Sequence, residues 1–425
     1  MVLLAINTTI VTTGIVVFLI VILILVGILL FAKAKLTAKG DVKISINNGD
    51  RIITTEPGSS LLSTLAGQKI FLPSACGGKG SCGMCKCQVD SGAGSILPTE
   101  TGFFSYKQQH ENWRLACQVK VKENIEMRIP ESVMGIKKWE CTVVSNRNIS
   151  TFLKEFVVKL PEGENLKFKS GGYIQIDVPA LDVDFKDMII DEKYKGDWEK
   201  MKMFDLKMHN PEPTYRAYSM ANSPAEGNII MLNIRIATPP FDKATGGFMK
   251  VNPGICSSYV FSRKPGDKIT ISGPYGEFFL PDDLPDTQEL IFIGGGAGMA
   301  PMRSHLMHLF KTEKTKRPVS FWYGARALKE VPYLDEFHAI EKDFPNFSFN
   351  LALDRPDPEA DAAGVKYTPG FVHNVLYENY LKNHQAPEDC IYLMCGPPMM
   401  IASVVKMLDS LGVPPENILY DNFGS

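Results

Sequence analysis

Four cysteines constrain this chain more than any other feature: Cys76, Cys82, Cys85 and Cys117. Three fall in the run Cys76-Gly-Gly-Lys-Gly-Ser-Cys82-Gly-Met-Cys85, and the fourth follows thirty-two positions later. Four thiolates so arranged ask for a metal. A structural zinc site would accept them, but such sites are usually built from two Cys-x-x-Cys knuckles, and here the second knuckle is missing. Three thiolates in one tight loop with a distant fourth suit a 2Fe-2S cluster. The intervening glycines let the backbone curl and aim N–H groups at the sulfides, which stabilises the reduced, anionic form. One departure stands out: five residues separate the first two cysteines, where the plant-type pattern has four.

At 425 residues the chain is too long for one ordinary domain, and two to four units are expected. Lys plus Arg number 45 against 47 Asp plus Glu, a net charge of −2, which gives no reason to invoke a nucleic-acid partner. The five other cysteines (Cys87, Cys141, Cys256, Cys390 and Cys395) fit a reducing compartment better than a disulfide framework. Cys87, Cys141, Cys256 and Cys390 read as small buried residues.

The N-terminus is different in kind. Met1 to Ala32 carries no charged side chain, and Ile10 to Phe31 is apolar apart from two threonines and two glycines. A helix of that length spans about 33 Å, enough to cross a bilayer core. A cleaved signal peptide needs a basic leading region and a shorter apolar stretch, and neither is present. Lys33, Lys35 and Lys39 follow the span, so the positive-inside rule puts the bulk of the chain in the cytoplasm. The span holds no ionisable residue, so it reads as an anchor or a packing helix, not an ion path. Residues 1–35 are assigned to this transmembrane helix.

The remainder divides into three. Residues 36–132 begin with alternating runs about Asn48-Gly49, a hairpin signal. A helix is expected from Ser59, then the cysteine loop, and then a strand over Leu115–Val119 carrying Cys117; this is a small β-grasp, ferredoxin-like unit. Residues 137–285 hold strand-like runs broken by Gly and Pro (Cys141 to Val144, Lys154 to Lys159, Tyr173 to Val178, Ile229 to Ile236, Lys268 to Ser272), which predict an antiparallel barrel. Within it, 181–213 is polar, lacks strand periodicity and reads as a surface excursion or a docking element. Residues 286–425 alternate strands and helices, the pattern of a doubly wound parallel α/β sheet.

Three motifs precede that last region in a fixed order: Arg216-Ala217-Tyr218-Ser219, Gly254-Ile255-Cys256-Ser257 and Gly273-Pro274-Tyr275-Gly276-Glu277-Phe278. As a set they resemble the ferredoxin–NADP⁺ reductase superfamily, over roughly Trp139 to Ser425. The resemblance implies that Arg216 holds an FAD pyrophosphate, that Tyr218 stacks on the isoalloxazine and that Ser219 faces the reactive flavin nitrogen. It also implies that the backbone from Gly254 to Ser257 cradles the phosphates. A guanidinium suits a diphosphate, and a helix start supplies N–H donors.

Gly294-Gly295-Gly296-Ala297-Gly298 follows a strand and precedes a helix, as a dinucleotide-phosphate turn requires. Cys395-Gly396-Pro397-Pro398-Met399 also follows a strand, and in the same superfamily that cysteine sits beside the nicotinamide. The resemblance gives Phe423, in the closing Tyr420–Ser425 stretch, the task of covering the other flavin face. No acidic residue follows the Val319–Tyr323 strand to take the ribose hydroxyls. Arg326 stands there instead and leans toward NADPH.

Read in order, the chain is a membrane helix, a 2Fe-2S ferredoxin, an FAD barrel and a nicotinamide domain. That order, the five-residue gap and the long barrel insertion resemble the F subunits of the Na⁺-translocating NADH:quinone oxidoreductases, over nearly the whole chain. The resemblance favours NADH over NADPH. It implies NADH oxidation through FAD, which accepts hydride, and the cluster, which takes one electron at a time. Quinone reduction and sodium movement are then left to partner subunits of the bacterial inner membrane. Two alternatives compete. The reductase component of a di-iron monooxygenase shares the domain order but is expected to be soluble with a four-residue gap. A membrane-tethered iron–sulfur sensor leaves Arg216, Tyr218, Ser219 and the Gly294 turn without purpose.

Overall fold

The computed structural model describes residues 8–36, 40–242, 244 and 246–421. They form two compact units. One runs up to Leu72 and takes in Gly83–Met134; the other joins Pro73–Cys82 to the chain from Gly135 onward.

The first unit begins with the helix Thr8–Leu36. Its window Thr12–Leu29 has mean hydropathy 3.1 and none of it is buried against the other described residues; by length and composition it is able to cross a membrane. After it comes a five-stranded sheet in the order Arg51–Thr55, Val42–Ile46, Ile125–Arg128, Lys86–Ser91, Trp113–Leu115. The hairpin turns at Asn47–Gly49, as the sequence predicts. The helix Leu61–Gly67 is capped by Ser60, whose hydroxyl accepts the Ser63 N–H at 3.2 Å, one residue later than expected. Leu61 and Leu65 on its inner face are buried, as are Ile44, Ile46 and Leu115 of the sheet. Cys117 is not in a strand. The strand stops at Leu115, and Cys117 lies in the turn that follows, which the Ala116 N–H ties to Cys85 O at 2.9 Å.

That turn is braced from below. Glu100 is fully buried and accepts from Arg114 Nη2 at 2.8 Å, from the Leu115 N–H at 2.8 Å and from the Leu97 N–H at 3.0 Å. Arg114, itself buried, also donates to the carbonyls of Ala93 and Gly94. Both charges are hydrogen-bonded on several sides, the condition under which a buried ion pair is tolerated.

The second unit is built on two sheets. Six antiparallel strands run in the order Thr214–Ser219, Tyr173–Val178, Lys268–Tyr275, Lys137–Ser150, Leu153–Lys159, Ile229–Arg235. A bridge between Met220 and Leu232 joins the two outer strands and closes the barrel. The helix Ile255–Ser262 plugs one end with Val260 and Phe261.

The stretch 181–213 is not the loose excursion its composition suggests. Leu181–Asp184 and Lys207–Asn210 pair as a two-stranded ladder around the helix Glu192–Lys200. Phe185, Trp198 and Met203 are fully buried in the same core as the barrel strands. Trp198 lies between Phe185, Phe204 and Phe261, and its indole N–H donates to Thr151 O at 2.7 Å. Polarity hides this, because the few large apolar residues are spaced for a wedge and not for a strand.

The parallel sheet runs Thr368–Pro369, Phe347–Leu353, Val319–Ala325, Leu290–Gly295, Ile391–Cys395, Ile418–Asp421. Its central strands are buried on both faces, so they read as unbroken apolar runs. Strand order reverses at Leu290–Gly295, between Val319–Ala325 and Ile391–Cys395. Such a switch point is where open α/β sheets bind ligands, outside the carboxyl ends of the strands.

Candidate active site

The barrel half of the site is carried by one strand, Thr214–Ser219. Arg216 is half-buried, and its Nη1 donates to Tyr215 O at 2.6 Å and Thr214 Oγ1 at 3.1 Å. Among the described residues no carboxylate forms an ion pair with it. A fixed guanidinium without a counter-ion is suited to an anion. Burial, and then the neighbouring Cys256 thiol, hold the Tyr218 hydroxyl well above its ordinary pKa, and burial pushes Cys256 up to about 12. Both stay protonated, so Tyr218 offers a neutral aromatic surface.

Gly254 caps the helix Ile255–Ser262 and donates its N–H to Ala237 O at 2.8 Å. A Cβ there would lie 2.6 Å from the Ala237 Cβ. The Ser257 hydroxyl accepts the Ala237 N–H at 3.1 Å and donates to Gly254 O at 3.1 Å. Its side chain is therefore spent on holding the helix start against the segment that follows the strand Ile229–Arg235, which leaves the backbone N–H groups of the helix start as the donors suited to an anion.

The parallel-sheet half sits at the switch point. Gly294 and Gly295 end one central strand and Cys395 ends its neighbour, with Gly294 and Cys395 paired directly. The chain then turns through Gly296, at φ +57°, and Gly298 into the helix Met299–Met307. A side chain at Gly298 would collide with the Cys395 carbonyl, so the turn packs backbone to backbone. Cys395 is fully buried, and burial followed by the nearby Asp421 holds its thiol well above the ordinary value. It is a protonated thiol here, not a thiolate nucleophile.

The two halves meet through a residue that the sequence does not single out. Asp421 ends the strand Ile418–Asp421 and pairs with Cys395. Its Oδ2 accepts the Ser219 hydroxyl at 2.9 Å. Burial raises its pKa, and the bond from Ser219 opposes that rise. In sequence the closing stretch stands out only for its aromatics, and nothing local marks Asp421, because its partner lies 202 positions away. Phe423 lies outside the described residues. Arg326 is exposed and lies near a second guanidinium, Arg235, whose pKa is lowered by burial and then by Arg326.

A second tie crosses the same junction. Arg303, on the helix after the glycine turn, donates to both Glu226 oxygens at 2.8 and 3.0 Å and to Glu336 at 2.8 Å. Tyr333, under the Arg303 guanidinium, bonds Glu155 and Asn233 of the barrel.

The cysteines form two pairs. In the larger unit Cys82 Sγ lies 3.4 Å from Cys76 Sγ, and that hydrogen bond draws the Cys76 pKa down to about 3. Two thiolates on one tetrahedral ion at about 2.3 Å stand roughly 3.8 Å apart, so this pair fits a single iron. In the smaller unit Cys85 bonds Cys117, which raises the Cys85 pKa. Cys87, Cys141, Cys256 and Cys390 are all buried, as expected of small core residues.

Three family models match the chain. A 2Fe-2S iron-sulfur cluster binding domain covers 44–122, an oxidoreductase FAD-binding domain 201–280 and an oxidoreductase NAD-binding domain 292–406. The chain therefore carries one domain for each of the three cofactors. Among solved structures, a cytochrome P450 reductase from Amycolatopsis aligns at TM-score 0.60 and 24% identity, covering 90% of this chain and 98% of its own. A ferredoxin reductase of a carbazole 1,9a-dioxygenase aligns at TM-score 0.57 and 23% identity, with the same coverage. Both establish the fold. Curated relatives are far nearer. The F subunit of the Na⁺-translocating NADH-quinone reductase of Marinomonas sp. is 51% identical over 411 residues, 97% of this chain and 98% of that protein. Its counterpart from Idiomarina loihiensis is 52% identical over 412 residues with the same coverage. With identity of this order along almost its whole length, the chain belongs to the family of F subunits of Na⁺-translocating NADH-quinone reductases.

Proposed function

We propose that this chain is the electron-entry component of a sodium-translocating respiratory complex: it oxidises NADH and delivers the electrons singly to membrane partners. The observation that carries the reading is the Ser219–Asp421 bond, which joins the barrel to the edge strand of the nicotinamide-type sheet beside Cys395. When bound, FAD accepts a hydride and the 2Fe-2S cluster takes electrons one at a time.

The residues then take these roles. Arg216 and the backbone from Gly254 to Ser257 hold the FAD diphosphate, and Tyr218 supports the ring. Gly294, Gly295, Gly296 and Gly298 let the NADH phosphates approach the backbone. Asp421 fixes the Ser219 hydroxyl, and Cys395 closes the floor beneath the nicotinamide as a neutral thiol. Phe423 covers the opposite ring face. Cys76, Cys82, Cys85 and Cys117 would ligate the cluster. The helix Thr8–Leu36 anchors the chain in the bacterial inner membrane by a single pass, with its folded units in the cytoplasm. Partner subunits of the same complex reduce quinone and move sodium, since the apolar window Thr12–Leu29 holds no ionisable side chain.

An anaerobic titration of the solubilised protein tests this, first with NADPH and then with NADH. Flavin bleaching is followed optically and the reduced cluster by electron paramagnetic resonance. Fast bleaching by NADH, little by NADPH, and a rhombic 2Fe-2S signal are expected. Preference for NADPH would bring Arg326 forward as a phosphate ligand and count against the complex. No bleaching with either would end the enzyme reading.

A further inference from the structure

The segment Pro73–Cys82 belongs to the same compact unit as the barrel, and two contacts seat it there. Ser74 is fully buried, and its carbonyl accepts from Gln175 Nε2 at 3.2 Å; Gln175 is itself only 5% exposed. The Ser74 hydroxyl accepts the Gly78 N–H at 3.2 Å, which fixes the turn between them. Gly77, at φ +68°, lies directly against Arg216. A Cβ there would stand 2.7 Å from Arg216 Nη1, 3.0 Å from Tyr215 O and 3.2 Å from Thr214 Oγ1. Gln175 faces Ala217, and Arg216 faces Ile176, across the same pair of strands. The loop that carries Cys76 and Cys82 thus rests on the strand that carries Arg216, Tyr218 and Ser219.

We propose that Gly77 and Gln175 are positioning residues that lock the cysteine loop and the flavin-binding arginine together, so that FAD retention and an ordered cluster loop support each other. The proposal rests on the reading that Arg216 binds the FAD diphosphate. An arginine side chain loses considerable rotamer freedom when it grips a ligand. Here Nη1 is already committed to Tyr215 O and Thr214 Oγ1, and the Gly77 backbone closes the space beside it. The remaining nitrogens are held in advance for the diphosphate. Linkage makes the effect reciprocal: a loop that favours bound FAD is favoured by bound FAD to the same degree. Only glycine at 77 permits the contact, for two separate reasons, its positive φ and the absence of room for a side chain.

The test uses full-length, detergent-solubilised protein carrying both cofactors, with Gly77→Ala, Gln175→Glu and Arg216→Lys. Gln175→Glu keeps the shape but removes the donor to Ser74 O. It lies outside the cysteine loop, so it stands even where Gly77→Ala fails to assemble a cluster. The readouts are the FAD dissociation constant, from the fluorescence of released flavin, and the rate of iron loss with FAD bound or stripped. Gly77→Ala and Gln175→Glu are expected to weaken FAD binding about five- to tenfold, and stripping FAD to speed iron loss from the wild type by a similar factor. The effect of stripping should shrink in Gln175→Glu. The lock is overturned if Arg216→Lys releases FAD while Gln175→Glu, with full iron content, binds it within about twofold of wild type. Tight binding by Arg216→Lys would overturn the diphosphate reading instead, and the lock with it.

Discussion

Removal of the Asp421 carboxylate tests how the two halves of the site cooperate. Asp421 Oδ2 accepts the Ser219 hydroxyl at 2.9 Å, and both groups are largely shielded from water. A hydrogen bond to an ionised acceptor contributes about 1.5–3 kcal/mol, and each 1.4 kcal/mol or so in a barrier is tenfold in rate. If the bond orients the hydroxyl for hydride transfer, Asp421→Ala slows that step about ten- to a hundredfold. Asp421→Asn keeps an acceptor oxygen and recovers part of the loss. The assay is stopped-flow bleaching of the flavin at saturating NADH, without oxygen, on preparations matched for FAD content. The Ser219→Ala/Asp421→Ala double variant should be no slower than Ser219→Ala alone, because the carboxylate acts through the hydroxyl. Additive losses, or a rate for Asp421→Ala within about twofold of wild type, would refute the reasoning. The same logic fixes a pH dependence. Burial raises the Asp421 pKa above its ordinary 3.8, so the ionised acceptor is present above the raised value and lost as pH falls through it. The wild-type rate should fall on that side, and the inflection should be missing in Asp421→Asn.

Other perturbations give equally definite outcomes. Glu100→Ala strands the buried Arg114 guanidinium and the Leu97 and Leu115 N–H groups; breaking such a pair costs about 3–5 kcal/mol. Cluster absorbance should then be lost at a temperature at least about 10 °C lower on heating, and an unchanged melting curve would dismiss the brace. Gly298→Ala pushes against the Cys395 carbonyl and should raise the KM for NADH while leaving the FAD content intact. His305 is buried with its Nε2–H donated to Phe278 O at 3.1 Å, and burial brings its pKa down from 6.5 to about 4. The unfolded chain therefore binds the extra proton between those values. Stability is complete above pH 6.5 and declines by about 3 kcal/mol toward pH 4. Denaturant titrations of His305→Gln should show that acid limb flattened.

How much of this is legible in the sequence depends on the range of each interaction. The cysteine loop, the glycine turn after Leu290–Ile293 and the apolar helix are local signals, in which spacing alone carries the chemistry. The barrel strands also announce themselves, since Gly and Pro punctuate them. The wedge at 181–213 does not, because Phe185, Trp198 and Met203 are buried by contacts that the sequence around them does not show. The apolar neighbours of Cys117 suggest a strand; the strand ends at Leu115, and the turn follows the Ala116 bond to Cys85. Asp421, Gln175 and Glu100 act through partners 202, 101 and 14 positions away. A carboxylate or an amide has no periodicity to reveal such a partner. Residues that belong to a local motif are thus easier to single out than residues that hold other residues in place.

The buried indole of Trp198 has a consequence for how the barrel comes apart. Its N–H is donated to Thr151 O at 2.7 Å inside an aromatic cage shared by the insertion and the helix Ile255–Ser262 that packs in the barrel core. No fraying of one edge exposes that proton to solvent. Its exchange for deuterium should wait for the wedge and the barrel to open together, which makes a single indole resonance a clock for global unfolding. Proteolysis should follow the same clock: Lys193, Lys195, Lys200 and Lys202 crowd the insertion, yet cleavage there would keep pace with the slow opening of the whole barrel and not with the motion of a loop.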